Sequence, residues 1–512
     1  MNSPNLLPLT SYKVDEYVEF VAIIMPSTEK DVDDDNQNND CGSLRSRTVR
    51  SFKVMDVMRA ANAVQERLDR EHETSGASND GGPEKVLHLE VGQPESGAPK
   101  TVASAAVEAL TMPRAKQNVM GYTDAFGLID LRHKIRQHYV DKYSSDGGGS
   151  DGFQIPDVTQ IVVTTGSSGA FLLAFTACFD PSDTVAIASS GYPCYRNILQ
   201  ALGCSLATVG INDEYKITAR ELKEEIERRK EQNSPPIKGL ILSSPSNPTG
   251  SMLTPLELKE LCELCNRENI VFMSDEIYHG ISYGNVQEAT ALQYADAGTN
   301  TNTNENIVVI NSFSKYYSMP GWRLGWMVVP QRFVQSINKL QQNMFINAPT
   351  VSQTAALRCW DPDTITELET HVSKYRANRS VILDRFDTRE DSASGGTGVL
   401  TGLMIETNVA PADGGFYVYV DLGEDFVSRD SEPALDSVRL CELLLERYHV
   451  ALTPGIDFED PDCPQNLGRR RFRISYAGGT QTITEAMDRF VRFWNEAWLP
   501  MIEAAKKPAT TP

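Results

Sequence analysis

Ile307-Val308-Val309-Ile310-Asn311-Ser312-Phe313-Ser314-Lys315 passes in nine residues from a run of β-branched side chains to a pair of serines and a lysine. β-branched residues suit a pleated surface, and an unbroken apolar run suits a strand covered on both faces. The first half therefore predicts a strand of a largely parallel sheet. The second half puts an amine where that strand ends, and an amine buried there would have a depressed pKa. A lysine taken alone is far more commonly a solvated surface charge. The two serines, the flanking aromatics and Arg323, eight residues on in Gly321-Trp322-Arg323-Leu324-Gly325-Trp326, reverse that reading.

The same alternation extends outward from this stretch. Short apolar runs at 160–164, 184–188, 239–243, 270–274, 307–311 and 325–329, separated by helix-like segments, predict an α/β fold with a mostly parallel sheet. Polar clusters follow the C-terminal ends of these runs at 166–169, 191–195, 245–250, 275–278 and 312–315, the side on which open α/β sheets bind ligands. Thr164-Thr165-Gly166-Ser167-Ser168-Gly169 reads as a strand-to-helix turn that aims backbone N–H groups at an anion, with an ordinary turn as the plainer alternative. It is not a nucleotide P-loop, whose lysine it lacks. Ser244-Pro245-Ser246-Asn247-Pro248-Thr249-Gly250 predicts a rigid turn, with a cis Asn247–Pro248 bond as one available geometry and Asn247 held toward a ligand oxygen. Asp275, directly after an apolar strand, needs a cation or else serves as a helix cap.

Length and composition bound the rest. A chain of 512 residues predicts a large and a smaller domain. A formal net charge of −21 argues against nucleic acid or an anionic membrane as partner, since both need clustered Lys and Arg. Nine cysteines at irregular spacings read as free thiols in a reducing compartment. Cys262 and Cys265 form a CxxC among Leu258, Leu261 and Leu264, which favours a packed helix over zinc, and no metal site is expected. Without an apolar span of membrane length or a targeting pattern, the expected location is cytoplasmic. Residues 1–48, with their Asp/Asn-rich run at 31–40, predict a disordered extension. Apolar spacing at Phe52, Met55, Met58, Ala61 and Val64 predicts a helix over 52–68, and polar stretches at 144–152, 298–306 and 389–398 read as surface insertions.

With Asn247-Pro248-Thr249-Gly250, Ser274-Asp275-Glu276-Ile277-Tyr278, Ser312-Phe313-Ser314-Lys315 and Gly321-Trp322-Arg323-Leu324-Gly325-Trp326 in this order, the chain resembles, from about residue 50 to 500, the class I/II aminotransferases of the fold-type I pyridoxal-5′-phosphate enzymes, in an Iγ-like branch. The resemblance implies a seven-stranded, mostly parallel sheet in a large cofactor-binding domain at 101–345. It also implies a smaller α+β domain formed by 49–100 and 346–505, with 506–512 as a tail. It further implies that Lys315 carries the cofactor as a Schiff base and acts as the base, that Asp275 pairs with the pyridine nitrogen, and that Tyr278 and Asn247 bond the phenolic oxygen. Tyr192 would stack on the ring. Ser167, Ser168, Ser312, Ser314 and Arg323 would hold the phosphate, joined by Tyr122 from the neighbouring subunit of a homodimer. Arg473 would grip the substrate α-carboxylate, with Gly92 and Asn247 beside it.

The expected reaction is a ping-pong transfer of an amino group between an L-amino acid and a 2-oxo acid such as 2-oxoglutarate. A lyase or synthase on the same scaffold is the nearest rival, since the cofactor motifs serve both. A catalytically silent binding protein is a further one, and the intact Lys315, Asp275, Tyr278, Arg323 and Arg473 set argues against it. Two departures stand out: Pro320, where relatives often carry Thr or Ala, and the Pro454-Gly455-Ile456-Asp457-Phe458 loop, which leaves substrate preference open. No second basic group for an acidic side chain is identified.

Overall fold

The structure, a computed structural model, describes residues 42–47, 49–75, 84–112, 120–144, 153, 155–296, 304–386, 398–429, 431–463 and 466–506. The acidic run at 31–40, nearly all of the extension before residue 49, most of the three polar insertions and the tail after residue 506 lie outside the described residues.

Seven strands form one sheet. In chain order after a short first strand, β1 (Leu87–His88), they are β2 (Ile161–Thr164), β3 (Thr184–Ala188), β4 (Ser205–Val209), β5 (Ile237–Ser243), β6 (Val271–Asp275), β7 (Ile307–Ser312) and β8 (Gly325–Val328). Their spatial order is β2-β8-β7-β6-β5-β3-β4. β8 runs antiparallel to both of its neighbours, and the pairs β3/β4, β3/β5, β5/β6 and β6/β7 are parallel. This is the seven-stranded, mostly parallel sheet the resemblance implies. β4 escaped the sequence reading because its Ser205 is exposed and Leu206 and Thr208 are only part-buried, so it lacks the continuous apolar run of its neighbours.

The opening stretch shows why the interior strands read so clearly. Ile307 and Val309 enter one apolar cluster, with Leu131, Ile135 and Leu261, while Val308 and Ile310 enter another, with Phe171, Phe175 and Met327. All four strand residues are 0% exposed, so helices cover both faces and every position must be apolar. The chain leaves β3 for β4 on one side and then crosses to β5 on the other, so the loops after β3 and β5 flank a topological switch point. Such a crevice is where α/β sheets place ligands.

A second core gathers β9 (Tyr417–Asp421), β10 (Val450–Ala451), β11 (Thr453–Pro454) and β12 (Arg471–Ser475). β11, β12 and β9 form an antiparallel sheet, and β1 pairs in parallel with β10. The N-terminal helix spans Lys53–Ser75 and buries Val57, Ala60, Ala61 and Val64 against Leu445 and Ala451. The face expected from spacing was partly misplaced: Met55 is 42% exposed, and Val57 and Ala60 take the inner positions. Cys262 and Cys265 lie on the helix Pro255–Arg267 inside the first core, beside Leu258, Leu261 and Leu264. Among the described residues no helix is long and apolar enough to cross a membrane.

Trp326 of β8 is 0% exposed, packs edge-on against Phe313 with ring centroids 4.9 Å apart, and donates its indole N–H to Tyr139 Oη at 3.1 Å. Trp326→Ala is expected to lower stability by about 3–5 kcal/mol, read as a loss of thermal midpoint, because it leaves both a cavity and an unpaired phenol.

Candidate active site

The turn after β7 is built backwards from its aromatics. Phe313 packs into the core against Tyr317, Trp326 and Trp360 and so anchors the turn, and Lys315 lies just past the end of the strand, at the sheet edge. Lys315 Nζ donates to the Gly92 carbonyl at 2.7 Å and lies 5.6 Å from the ring centroids of both Tyr278 and Phe416. Burial is the main force lowering its pKa, to about 8. Arg473 and Arg323 push the same way and Asp275 opposes them. The expected depressed amine is therefore present, and its cause is desolvation first and two guanidinium charges second.

Asp275 ends β6 and is 0% exposed. Its carboxyl accepts from the Tyr195 hydroxyl and, at 3.1 Å, from the Ile277 N–H. Burial outweighs these bonds and the attraction of Lys315, pushing its pKa up to about 7. Tyr278, also buried, shares a 2.8 Å hydrogen bond with the Tyr417 hydroxyl, and burial holds its phenol well above the ordinary value.

The turn that carries these two residues is braced from behind. Glu276 accepts from Ser274, Thr290 and the Ala291 N–H. Beside it, His279 contacts Tyr143 Oη at 2.8 Å and the Ser244 carbonyl at 3.1 Å. Glu288 accepts the Gly280 N–H at 2.7 Å and pairs with Lys142. Several buried hydrogen bonds made together fix a loop more firmly than any one of them would.

Arg473, from the middle of β12, brings the second core to this edge. Its Nη1 donates to Asn247 Oδ1 at 2.8 Å and its Nη2 to the Glu90 carbonyl at 2.6 Å. The guanidinium lies 4.4 Å from the Tyr417 ring and 4.5 Å from the Phe458 ring. Asn247 sits in a loop with cis bonds at both Ser244–Pro245 and Asn247–Pro248, so the rigid turn takes the available cis geometry. At Gly92 a Cβ would fall 1.9 Å from the Tyr417 hydroxyl, so only glycine lets this backbone pass so near the tyrosine.

The expected phosphate cradle begins a helix at Gly166–Cys178 whose cap residue, Thr165, makes no side-chain capping bond, leaving the first N–H groups available. Ser167 is part-buried and Ser168 exposed. Arg323, in left-handed backbone with φ 51°, lies so close that a Cβ on Gly166 would meet its Nη2 at 2.5 Å. Ser312 Oγ donates to Ser314 Oγ at 3.0 Å within the same corner. Tyr192 starts the helix Pro193–Ala201 and lies nearly parallel to Phe52, with centroids 5.9 Å apart and planes at 10°. Tyr122 stands apart, 84% exposed, beside a surface groove that Thr165 and Phe345 also line.

Sequence reading missed Tyr195, Tyr417, Glu90 and Phe416 as members of this site. Tyr195 had a usable signal, one helical turn after Tyr192. Tyr417 and Phe416 follow two glycines, Gly414 and Gly415, whose close packing only the fold reveals. The unusual 454–458 loop acquires a reason: Asp457 accepts the N–H groups of Lys53 at 2.9 Å and Val54 at 3.2 Å, so it caps the N-terminal helix from a distant segment and brings Phe52 onto Tyr192.

The family model described as aminotransferase class I and II matches residues 84–490. A valine–pyruvate aminotransferase of Mycobacterium tuberculosis is 39% identical over 456 residues, 88% of this chain and 97% of that protein. A (5-formylfuran-3-yl)methyl phosphate transaminase of Methanocaldococcus jannaschii is 30% identical over 454 residues, 89% of this chain and 100% of that protein. Among solved structures, an aminotransferase from Mycobacterium tuberculosis aligns with a TM-score of 0.71 at 35% identity, over 89% of this chain and 100% of that one.

Two expected outcomes follow from the geometry. Gly92→Ala must displace Tyr417 and is expected to cost about 1–3 kcal/mol in thermal stability, whereas Gly210→Ala, with nothing within 4 Å of the new Cβ, leaves the midpoint nearly unchanged. Asp275 has a folded-state pKa near 7, above its unfolded value, so its contribution to stability is present at low pH and is lost as pH rises through about 7. Thermal midpoints of the ligand-free protein at about pH 5 and about pH 8 should therefore differ more for the unsubstituted chain than for Asp275→Asn.

Proposed function

The chain belongs to the class I and II aminotransferases, and from that premise we propose that it binds pyridoxal 5′-phosphate and moves an amino group between an L-amino acid and a 2-oxo acid, one substrate leaving before the next enters. The observation that carries this reading is the fully buried Asp275 carboxyl, which among the described residues accepts hydrogen bonds only from Tyr195 and the Ile277 N–H and lies near enough to the amine of Lys315 for the two charges to act on each other. A protonated ring nitrogen supplies the cation that such a carboxylate lacks. The uncapped helix start at Gly166, with Arg323 against it and Ser312 and Ser314 nearby, matches a phosphate dianion in charge and donor geometry. The residues fit the cofactor.

When bound, the cofactor supplies an electron-poor ring that accepts the electron pair left at the substrate Cα. The chain does the rest. Lys315 Nζ, lowered to about 8, reaches its neutral form far more readily than an ordinary lysine, as a base that takes the Cα proton and returns it requires. Asp275 would hold the proton of the ring nitrogen, the Tyr278 hydroxyl and the Asn247 amide would bond the phenolic oxygen, and Tyr192 would lie against the ring. Ser167 and Ser168 add donors at the phosphate. Arg473 takes the substrate α-carboxylate in its planar fork, pre-oriented by Asn247 Oδ1 and the Glu90 carbonyl, with Gly92 leaving room beside it. The exposure of Tyr122 supports its reaching the phosphate of a second copy in a homodimer.

The apolar clusters on the two faces of the large sheet and the separate one around β9 and β12 support a division into a large domain at 101–345 and a small one formed by 49–100 with 346–505, although Ala348, Ala355, Ala356 and Cys359 pack with the first and Ile277, Tyr278 and Ile281 with the last. The free thiols Cys178, Cys194, Cys204, Cys262, Cys265, Cys359, Cys441 and Cys463 support a reducing, cytoplasmic location. The rings of Tyr417 and Phe458 around Arg473 favour a donor with an uncharged side chain, and valine with pyruvate, the pair in the name of the Mycobacterium tuberculosis relative, is the first to try.

An amino donor added alone to the cofactor-loaded enzyme should release one equivalent of its 2-oxo acid per site, and Lys315→Ala should reduce turnover by about a thousandfold or more. Ammonia release in place of retained nitrogen, no reaction with any proteinogenic donor, or full activity in Lys315→Ala would overturn the reading.

A further inference from the structure

One short stretch of backbone touches two cations of the site, Arg473 and Lys315. The Glu90 carbonyl accepts from Arg473 Nη2 at 2.6 Å and from Thr453 Oγ1 at 3.1 Å. The Gly92 carbonyl, two residues on, accepts from Lys315 Nζ at 2.7 Å. The chain is fixed on the upstream side: the Leu89 N–H donates to the Ala451 carbonyl at 3.0 Å, and the Leu89 carbonyl accepts from the Ser475 N–H at 2.8 Å. Past Leu89 it leaves the β1/β10 pairing, so Glu90 is where strand bonding gives way to the contacts with Arg473.

The Glu90 side chain is 0% exposed, an expensive place for a carboxylate unless it has work to do. One oxygen lies 2.8 Å from His88 Nδ1, and the other is buried without a hydrogen-bond partner among the described residues. His88 and Glu90 are two residues apart in extended chain, so their side chains share a face. An apolar residue of similar size would fill the same space without the desolvation penalty, which means that packing alone does not account for a carboxylate there.

We propose that Glu90 is a positioning residue for amino-group transfer: tethered by His88, it fixes the backbone carbonyl that aims Arg473 at the substrate carboxylate. This rests on the reading of Arg473 as the carboxylate-binding group. The tether carries a pH signature. The hydrogen bond to Glu90 is the first cause that raises His88 above the ordinary imidazole value, and the charge of Glu90 adds to it while burial opposes both. With its folded-state pKa raised, the charged pair is intact at lower pH and is lost as pH rises through the raised value. Donor binding should weaken over that same interval.

The test is steady-state kinetics of the cofactor-loaded enzyme across pH, with Glu90→Ala, Glu90→Gln and His88→Asn. Glu90→Ala should raise donor KM about tenfold with kcat at saturating donor nearly unchanged, the mark of binding lost equally from ground and transition states. Glu90→Gln, which keeps a hydrogen bond to the imidazole but not the charge, should recover part of that loss and remove most of the rise of KM with pH. His88→Asn should flatten the rise of KM with pH. Independently of turnover, histidine-labelled NMR of the cofactor-free protein should show the His88 titration moving to lower pH in Glu90→Gln. Donor KM unchanged in a folded Glu90→Ala, or kcat falling as much as KM rises with no rescue by Gln, would overturn the proposal. If Glu90→Ala does not fold, the pH profile of His88→Asn decides. Absence of any donor turnover in the unsubstituted enzyme would instead defeat the functional reading itself, and the positioning role with it.

Discussion

The amine of Lys315 is buried within reach of two guanidinium charges, Arg473 and Arg323, and of the buried carboxyl of Asp275. Like charges in a partly desolvated space repel strongly, because the screening that water provides is missing. The fold has to hold them there against that repulsion, and much of the local architecture does so. The carbonyls of Glu90 and Gly92 and the amide oxygen of Asn247 face the cations as neutral acceptors. Asp275 is kept in place by Tyr195, which donates to it, and by a network beneath its own turn.

Holding these groups together takes both cores. β6 and β7 of the large sheet deliver Asp275 and Lys315 at adjacent strand ends, a placement that parallel pairing provides directly. Arg473 comes from an antiparallel sheet in the second core, and its contact with Asn247 spans 226 residues of sequence. The two are joined where the chain after β3 meets the 454–460 loop. The Gly191 N–H donates to the Phe458 carbonyl at 3.0 Å, and the Asp460 N–H to the Ser189 carbonyl at 2.9 Å. Backbone bonds of this kind tie Phe458, and with it the wall beside Arg473, to the loop that carries Tyr192. Asp457 extends the same seam to the N-terminal helix.

Those linkages explain which parts of the site were legible in the sequence. Lys315, Asp275, Asn247 and Arg323 lie in short stretches where a strand ends and a turn begins, and each stretch carries its own local signal: β-branched runs, paired prolines, or an acid after an apolar strand. Tyr417 carries no such signal. It reads as one more aromatic in a buried strand, and its importance comes from standing under Gly92, opposite Tyr278 and beside Arg473, three contacts with distant segments. β4 was missed for a related reason. Its Ser205 is exposed and Leu206 and Thr208 only part-buried, so its sequence need not carry the unbroken apolar run of a strand covered on both faces.

By itself the sequence determined the covered parallel sheet, the order of its loops and the amine at the end of β7, because alternation, β-branching and turn chemistry act between neighbours in the chain. Only the tertiary structure decided what surrounds that amine. The depressed Lys315, the raised Asp275 and the orientation of Arg473 depend on desolvation and on charges from segments hundreds of residues apart, such as the 383 residues between Glu90 and Arg473. Desolvation is a property of the packed interior, where two cores close over one edge, and no stretch of the chain carries it alone.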